Sequence, residues 1–175
     1  MTIIPDDKDW TWVIERPCRD CGFDAAQFDV ATVPRLIGEL NGAWREVLRR
    51  PDVAVRPSPD KWSPLEYACH VRDVFRLFDT RLRSMIVEDG ARFENWDQDV
   101  TAVEARYDLQ EPGSVARELS QAGEVLAVGF ERVSGQQWLR RGHRSDGNSF
   151  TVASLAVYMI HDPIHHLWDV GAAAP

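Results

Sequence analysis

Three of the chain's five histidines fall within six residues, in the stretch Met159-Ile160-His161-Asp162-Pro163-Ile164-His165-His166-Leu167-Trp168-Asp169-Val170. The apolar spacing there predicts an amphipathic helix. On it, His161 and His165 are four apart and leave one face about one turn from each other. Neutral imidazoles so placed suit a divalent cation, which takes nitrogen ligands at about 2 Å. His166 is rotated off that shared face, so the spacing favours His161 and His165 as the ligand pair. A third ligand has to come from elsewhere, and His70, near the inward side of another predicted helix, is the candidate. Burying three imidazoles without partners costs on the order of several kcal/mol, which a coordinated cation offsets.

Asp73 and Asp169 each fall within a turn of a candidate ligand, His70 and His165 respectively. They are placed to accept the free ring N–H of a metal-bound histidine, although each alone also reads as an ordinary surface acid. Three histidines leave an open position on the metal, where a water or a thiol loses its proton near neutral pH and becomes a nucleophile. A structural site is instead closed by a fourth protein ligand, for which His166, Asp169 and Cys69 are available. The third reading has no metal, with the histidines hydrogen-bonded in a core.

His161-Asp162-Pro163-Ile164-His165 has the two-histidine spacing of the zinc peptidases but carries Asp where their general-base Glu stands, so peptide hydrolysis is not expected. Cys18-Arg19-Asp20-Cys21-Gly22 is a single Cys-x-x-Cys, half of a zinc knuckle. It reads as a plain N-terminal turn, as a functional thiol pair, or as part of a second metal site. Cys69 points about 100° away from its neighbour His70 on a helix and reads as packing. The sequence shows no Gly-rich phosphate loop and no nucleophile-elbow serine. Arg72, Arg76 and Arg81 are available to hold a carboxylate of a thiol or substrate.

Helices must position these groups. A first is predicted from about Val30 to Arg50, capped by Asp29 and stopped by Pro51, with Val33, Leu36, Ile37, Leu40, Trp44 and Val47 at helical spacing. Ser63-Pro64-Leu65-Glu66 combines a capping box with proline at the first helical position and starts a second helix that runs to about Val87, before Gly90. A third spans Ser114 to Val133 and a fourth Thr151 to Val170, ended by Gly171. Pro163 lies inside the fourth, where it removes a backbone bond and tends to kink the helix. Residues 91–111 read as a broken helix or an ordered crossover, and 136–148 as polar and turn-rich. With no strand pairs evident, the expected fold is all-α: a four-helix bundle with an irregular N-terminal segment and a long crossover between helices 2 and 3. One domain over 1–175 is expected, with residues 1–27 irregular and 30–170 forming the bundle. Trp10 and Trp12 are placed to pack against its body.

A net charge of −8 argues against nucleic acid as a partner, because phosphate contacts need clustered Lys and Arg. No signal peptide is visible, and the longest apolar run, Leu155 to Ile160, is far short of the roughly 20 residues a membrane span needs. Three cysteines, an odd count, do not make a secreted disulfide scaffold. The expectation is a cytoplasmic protein with a small-molecule substrate and no membrane partner. Its surplus tryptophans suit a homodimer.

Trp62-Ser63-Pro64-Leu65-Glu66 leading to His70 and Asp73, followed by His161-x-x-x-His165-His166 in the last helix, resembles the DinB/YfiT-like superfamily over roughly residues 30–170. The Cys-x-x-Cys-Gly-Phe-Asp run from Cys18 to Asp24 looks like a feature of an actinobacterial subgroup. The superfamily includes metal-dependent transferases of small thiols such as bacillithiol and mycothiol, and a mycothiol-dependent maleylpyruvate isomerase. The resemblance implies a four-helix bundle and a zinc or nickel site made by His70, His161 and His165, with mycothiol as co-substrate. The family often has Gly-Gln after the paired histidines. Leu167-Trp168-Asp169 stands there in this chain, so no role tied to that glutamine carries over.

Overall fold

A computed structural model describes residues 9–175 of the chain. The remainder of the expected irregular segment, 1–8, lies outside them. Helix α1 (Val33–Val47) is preceded by a short 3-10 turn whose start is capped by Asp29, which accepts from the Ala31 N–H at 3.0 Å. Its buried side chains Val33, Ile37, Leu40, Trp44 and Val47 recur every three to four residues, so one face meets the core. Helix α2 (Pro64–Val87) begins at the expected capping box. Ser63 Oγ accepts from the Glu66 N–H at 3.3 Å, and the Glu66 carboxylate accepts from the Ser63 N–H at 2.8 Å. That carboxylate is also gripped by Arg56, which anchors the loop before α2.

Two short pieces fill the crossover. Strand β1 (Ala91–Phe93) follows α2, and helix α3 (Gln98–Glu104) is capped by Asp97, which accepts from the Val100 N–H at 2.9 Å. Helix α4 (Pro112–Glu131) begins at Glu111, whose carboxylate takes the Gly113 and Ser114 N–H groups. Helix α5 (Val152–Asp169) starts from Thr151, continues through Pro163, and is followed by Gly171 at φ +64°. Helices α1, α2, α4 and α5 form the bundle around Trp44, Leu65, Phe75, Leu119, Leu126, Leu155 and Ile160, all buried. α4 approaches α1 closely at Gly123, where a Cβ would stand 2.5 Å from Asn41 Oδ1.

The expected all-α class is corrected in one respect. β1 pairs in parallel with β2 (Arg141–Arg144), which pairs antiparallel with β3 (Ser149–Thr151), in the order β1-β2-β3. Strands of three and four residues are too short to show an alternating pattern in sequence. The turn-rich 136–148 segment conceals the β2–β3 hairpin, whose turn has Gly147 at φ +96°. The sheet closes one end of the bundle, with Gly142 on β2 packed against Met85 of α2 and Phe93 of β1.

The N-terminal segment lies along α5. A 3-10 turn (Trp10–Ile14) buries Val13 completely. A tight loop then follows, in which the Cys18 N–H donates to Phe23 O at 2.8 Å and the Gly22 N–H to Cys18 O at 2.9 Å. Gly22 takes φ +77° there, a conformation glycine adopts without strain. No helix among the described residues is long and apolar enough to cross a membrane.

Candidate metal centre

Helix α5 carries two pairs at the spacing of one turn, and they face different neighbours. Asp162 and His166 meet His70 of α2. His70 Nε2 lies 3.1 Å from Asp162 Oδ2, and His166 Nε2 lies 3.7 Å from the same oxygen. One potential ligand atom from each of the three lies within 4.8 Å of the others. The second ring nitrogen of His166 is committed: its Nδ1 stands 2.7 Å from Asp169 Oδ2. An ionised carboxylate can only accept, so Nδ1 carries a proton and Nε2 is left facing Asp162. Aromatic rings fix the geometry. Trp96 stacks on His70 with centroids 5.2 Å apart and planes 7° from parallel, Trp62 packs on His70 at 5.4 Å, and Tyr67 packs on His166 at 4.8 Å.

Burial works to raise the Asp162 carboxyl, but His70 and His166 outweigh it and bring it down to about 2. Asp162 is therefore an anion between two imidazoles at neutral pH. Its other oxygen, Oδ1, is buried without a hydrogen-bond partner among the described residues.

His161 and His165 meet the N-terminal loop. Together with Cys18 and Cys21 they form a second group, again with ligand atoms within 4.8 Å of one another. His165 Nδ1 lies 3.6 Å from Cys18 Sγ, and both cysteines are free thiols. His161 Nε2 is buried and has no hydrogen-bond partner among the described residues. Burial, assisted by the neighbouring His165, lowers the His161 imidazole to about 4; burial likewise lowers His165, with His166 adding to it. Both rings are thus neutral at pH 7. Burial pushes the Cys21 thiol up to about 11, against a hydrogen bond from the Phe23 backbone N–H. Trp10 covers the pair, with ring centroids 5.6 Å from His161 and 4.8 Å from His165.

The expected ligands His70, His161 and His165 are therefore divided between two groups. Residues 161 and 162 point about 100° apart on a helix, as do 165 and 166. One pair faces the N-terminal loop and the other faces α2. Asp162 and His166 have the same spacing as His161 and His165, and that spacing was their only signal in the sequence. Asp73 makes no hydrogen bond to His70 among the described residues. Its carboxylate is taken by Arg72, Arg76 and the Tyr107 hydroxyl. Asp169 does orient a histidine, chiefly His166, while its Oδ2 is 3.9 Å from His165 Nε2. Cys69 is buried and belongs to neither group; its Sγ reaches Gln110 at 3.5 Å.

The His70–Asp162–His166 group lies on the wall of a cavity of about 500 Å³. Across it stand two arginines. Arg144, on β2 and in the turn-rich stretch that carries no motif, is paired with Asp146 at 2.8 Å and reaches Tyr158 Oη at 3.3 Å. Arg81 is buried and donates to Glu94 O at 2.9 Å, but it has no ion pair among the described residues. Burial, with the nearby charge of Arg144, lowers its pKa to about 10. Arg72 and Arg76 are tied instead to Asp73 and Glu118. Asp9 and Trp10 of the N-terminal segment also line this cavity.

No curated protein matches this sequence. Among solved structures, the chain is similar to YfiT from Bacillus subtilis, described as a probable metal-dependent hydrolase with an unusual four-helix bundle topology. The TM-score is 0.71 at 13% identity, over 92% of this chain and 94% of that one. At that identity the likeness shows the fold. The sequence itself matches the DinB superfamily over residues 43–170, a span holding α2 through α5 and both pairs of α5. On that match this chain belongs to the DinB superfamily.

Proposed function

We propose that the chain is a metal-dependent enzyme that transfers a small thiol of the mycothiol type to or from an electrophilic small molecule, at a divalent cation held by His70, Asp162 and His166. One observation carries the reading: two imidazole Nε2 atoms and a carboxylate converge on the wall of a large cavity. Three protein ligands leave a position for a substrate, as catalytic sites require. The donors fit such an ion. Two histidines and a carboxylate suit zinc, and imidazoles also suit nickel. The unpartnered Asp162 Oδ1 is a buried cost that a cation relieves.

When bound, the cation lowers the pKa of a thiol or water in its open position and supplies a nucleophile near neutral pH. The chain's own residues do the rest. Asp169 holds the His166 proton on Nδ1 and so aims Nε2 inward. Trp96 stacks on the His70 ring and Trp62 packs against it, and together they hold it in place. Arg81, a buried guanidinium with no carboxylate partner among the described residues, recognises an anionic group on the thiol or its acceptor.

Hydrolysis is the second reading, with water in place of the thiol, and the fold shared with YfiT favours it. The two are separated by a screen of wild-type protein and Asp162→Ala, loaded with zinc or nickel, against electrophiles with and without mycothiol. Thiol transfer predicts mycothiol consumption that Asp162→Ala abolishes. Turnover that needs no thiol would replace it with hydrolysis, and consumption unchanged in Asp162→Ala would remove the site from the reaction.

A further inference from the structure

We infer that Cys18, Cys21, His161 and His165 form a second metal site, a closed tetrahedral centre for zinc that fastens the N-terminal segment onto α5. This goes beyond the catalytic reading and does not depend on it.

The spacing Cys-x-x-Cys and His-x-x-x-His is that of structural zinc sites, which take four protein ligands and keep no open position. The geometry agrees with it. Zn–S bonds of about 2.3 Å and Zn–N bonds of about 2.0–2.1 Å at a tetrahedral angle place S and N about 3.6 Å apart. Cys18 Sγ and His165 Nδ1 are 3.6 Å apart. His161 Nε2, buried and unpartnered, supplies the fourth donor. The loop is shaped for thiolates: Gly22 at φ +77° turns the chain, and the Phe23 N–H reaches the Cys21 sulfur. Cys18, His161 and His165 are buried, at 2%, 3% and 6% exposure, and the two histidines also line the cavity beside the first group. On binding zinc, the two thiols release their protons to solvent and no group is oxidised.

The site has a consequence for the cavity. Trp10 packs on both histidines, and Trp10 and Asp9 line the cavity. The second metal thus holds one wall of the first site in place. It also clips residue 18 to residue 165, closing a long loop, where such a clip constrains the unfolded chain most.

The test uses the full chain in its reduced form, loaded with zinc or cobalt(II). Elemental analysis is expected to give about two ions per chain in the wild type, one for each site. Cobalt(II) should show intense thiolate-to-metal charge transfer. Cys21→Ser should lose one ion and that band, whereas Asp162→Ala should lose the other ion and keep the band. The cobalt spectrum of the wild type decides the matter even if Cys21→Ser does not fold. No charge-transfer band in reduced, cobalt-loaded wild type would overturn the proposal, as would full metal content in Cys21→Ser. Loss of activity in Asp162→Ala with the band intact leaves this site standing and speaks only to the catalytic one.

Discussion

His166 donates its Nδ1 proton to Asp169 across 2.7 Å and turns its Nε2 toward Asp162, 3.7 Å away. One carboxylate at the end of α5 thereby orients the ring of the histidine one turn back. Histidines that bind metals are commonly held in this way, and loss of the holding group weakens the metal without removing a ligand.

Asp169→Ala is therefore expected to lower metal affinity at the His70–Asp162–His166 group by roughly 10- to 100-fold. Competition with a chelator measures it. An affinity equal to that of the wild type would mean that the hydrogen bond does not tune the ligand.

How far the sequence reveals this molecule depends on the range of the signal. The start of α2 was legible because Ser63 and Glu66 are three apart and make their capping box locally. The start of α5 at Thr151 and the end at Gly171 were legible for the same reason. The sheet was not, because the parallel pairing of Ala91 with Gly142 joins distant segments and leaves no local pattern. At the site, the pairs on α5 were visible as spacings, but periodicity cannot say which neighbour each face meets. That choice is tertiary: α2 brings His70 to Asp162, and the N-terminal loop brings Cys18 to His165.

Asp73 is expected to make stability depend on pH. Burial opposes its charge, but Arg72 and the Tyr107 hydroxyl at 2.6 Å outweigh it, and its pKa falls below the ordinary 3.8. A depressed carboxylate contributes stability above its unfolded pKa, and that contribution drains away as pH falls through the folded value. Tyr107→Phe should cost about 1–3 kcal/mol at neutral pH. The cost should shrink in acid, where Asp73 protonates in both proteins. Urea unfolding at pH 7 and at pH 3 checks this, and a cost that is the same at both would separate it from the carboxylate.

Gly142 is expected to tolerate no side chain. A Cβ there would lie 2.6 Å from Phe93 Cε1 and 2.7 Å from Met85 Sδ. Met85 is fully buried, and Phe93 packs against the core. Gly142→Ala should destabilise the protein by about 1–3 kcal/mol through overpacking. Metal content should stay unchanged, since neither group takes a residue from β2. Thermal denaturation and elemental analysis of the same sample report the two effects separately.

Arg81 is expected to trade stability against recognition. Its guanidinium is buried and has no carboxylate partner among the described residues, an arrangement that costs free energy. Aromatic rings offset part of that cost, with Phe93 at 4.8 Å and Phe78 at 5.2 Å from the guanidinium carbon. Arg81→Met keeps the volume and removes the charge, so the melting temperature should hold or rise. Binding of an anionic thiol or acceptor should weaken by roughly tenfold or more, the loss of a charge-assisted hydrogen bond of about 1.5–3 kcal/mol. Neutral analogues of the same compound should bind the variant and the wild type alike. Calorimetric titration with a matched charged and neutral pair measures the difference. Equal losses for both members of the pair would assign Arg81 to the shape of the cavity and leave the anion without a partner there.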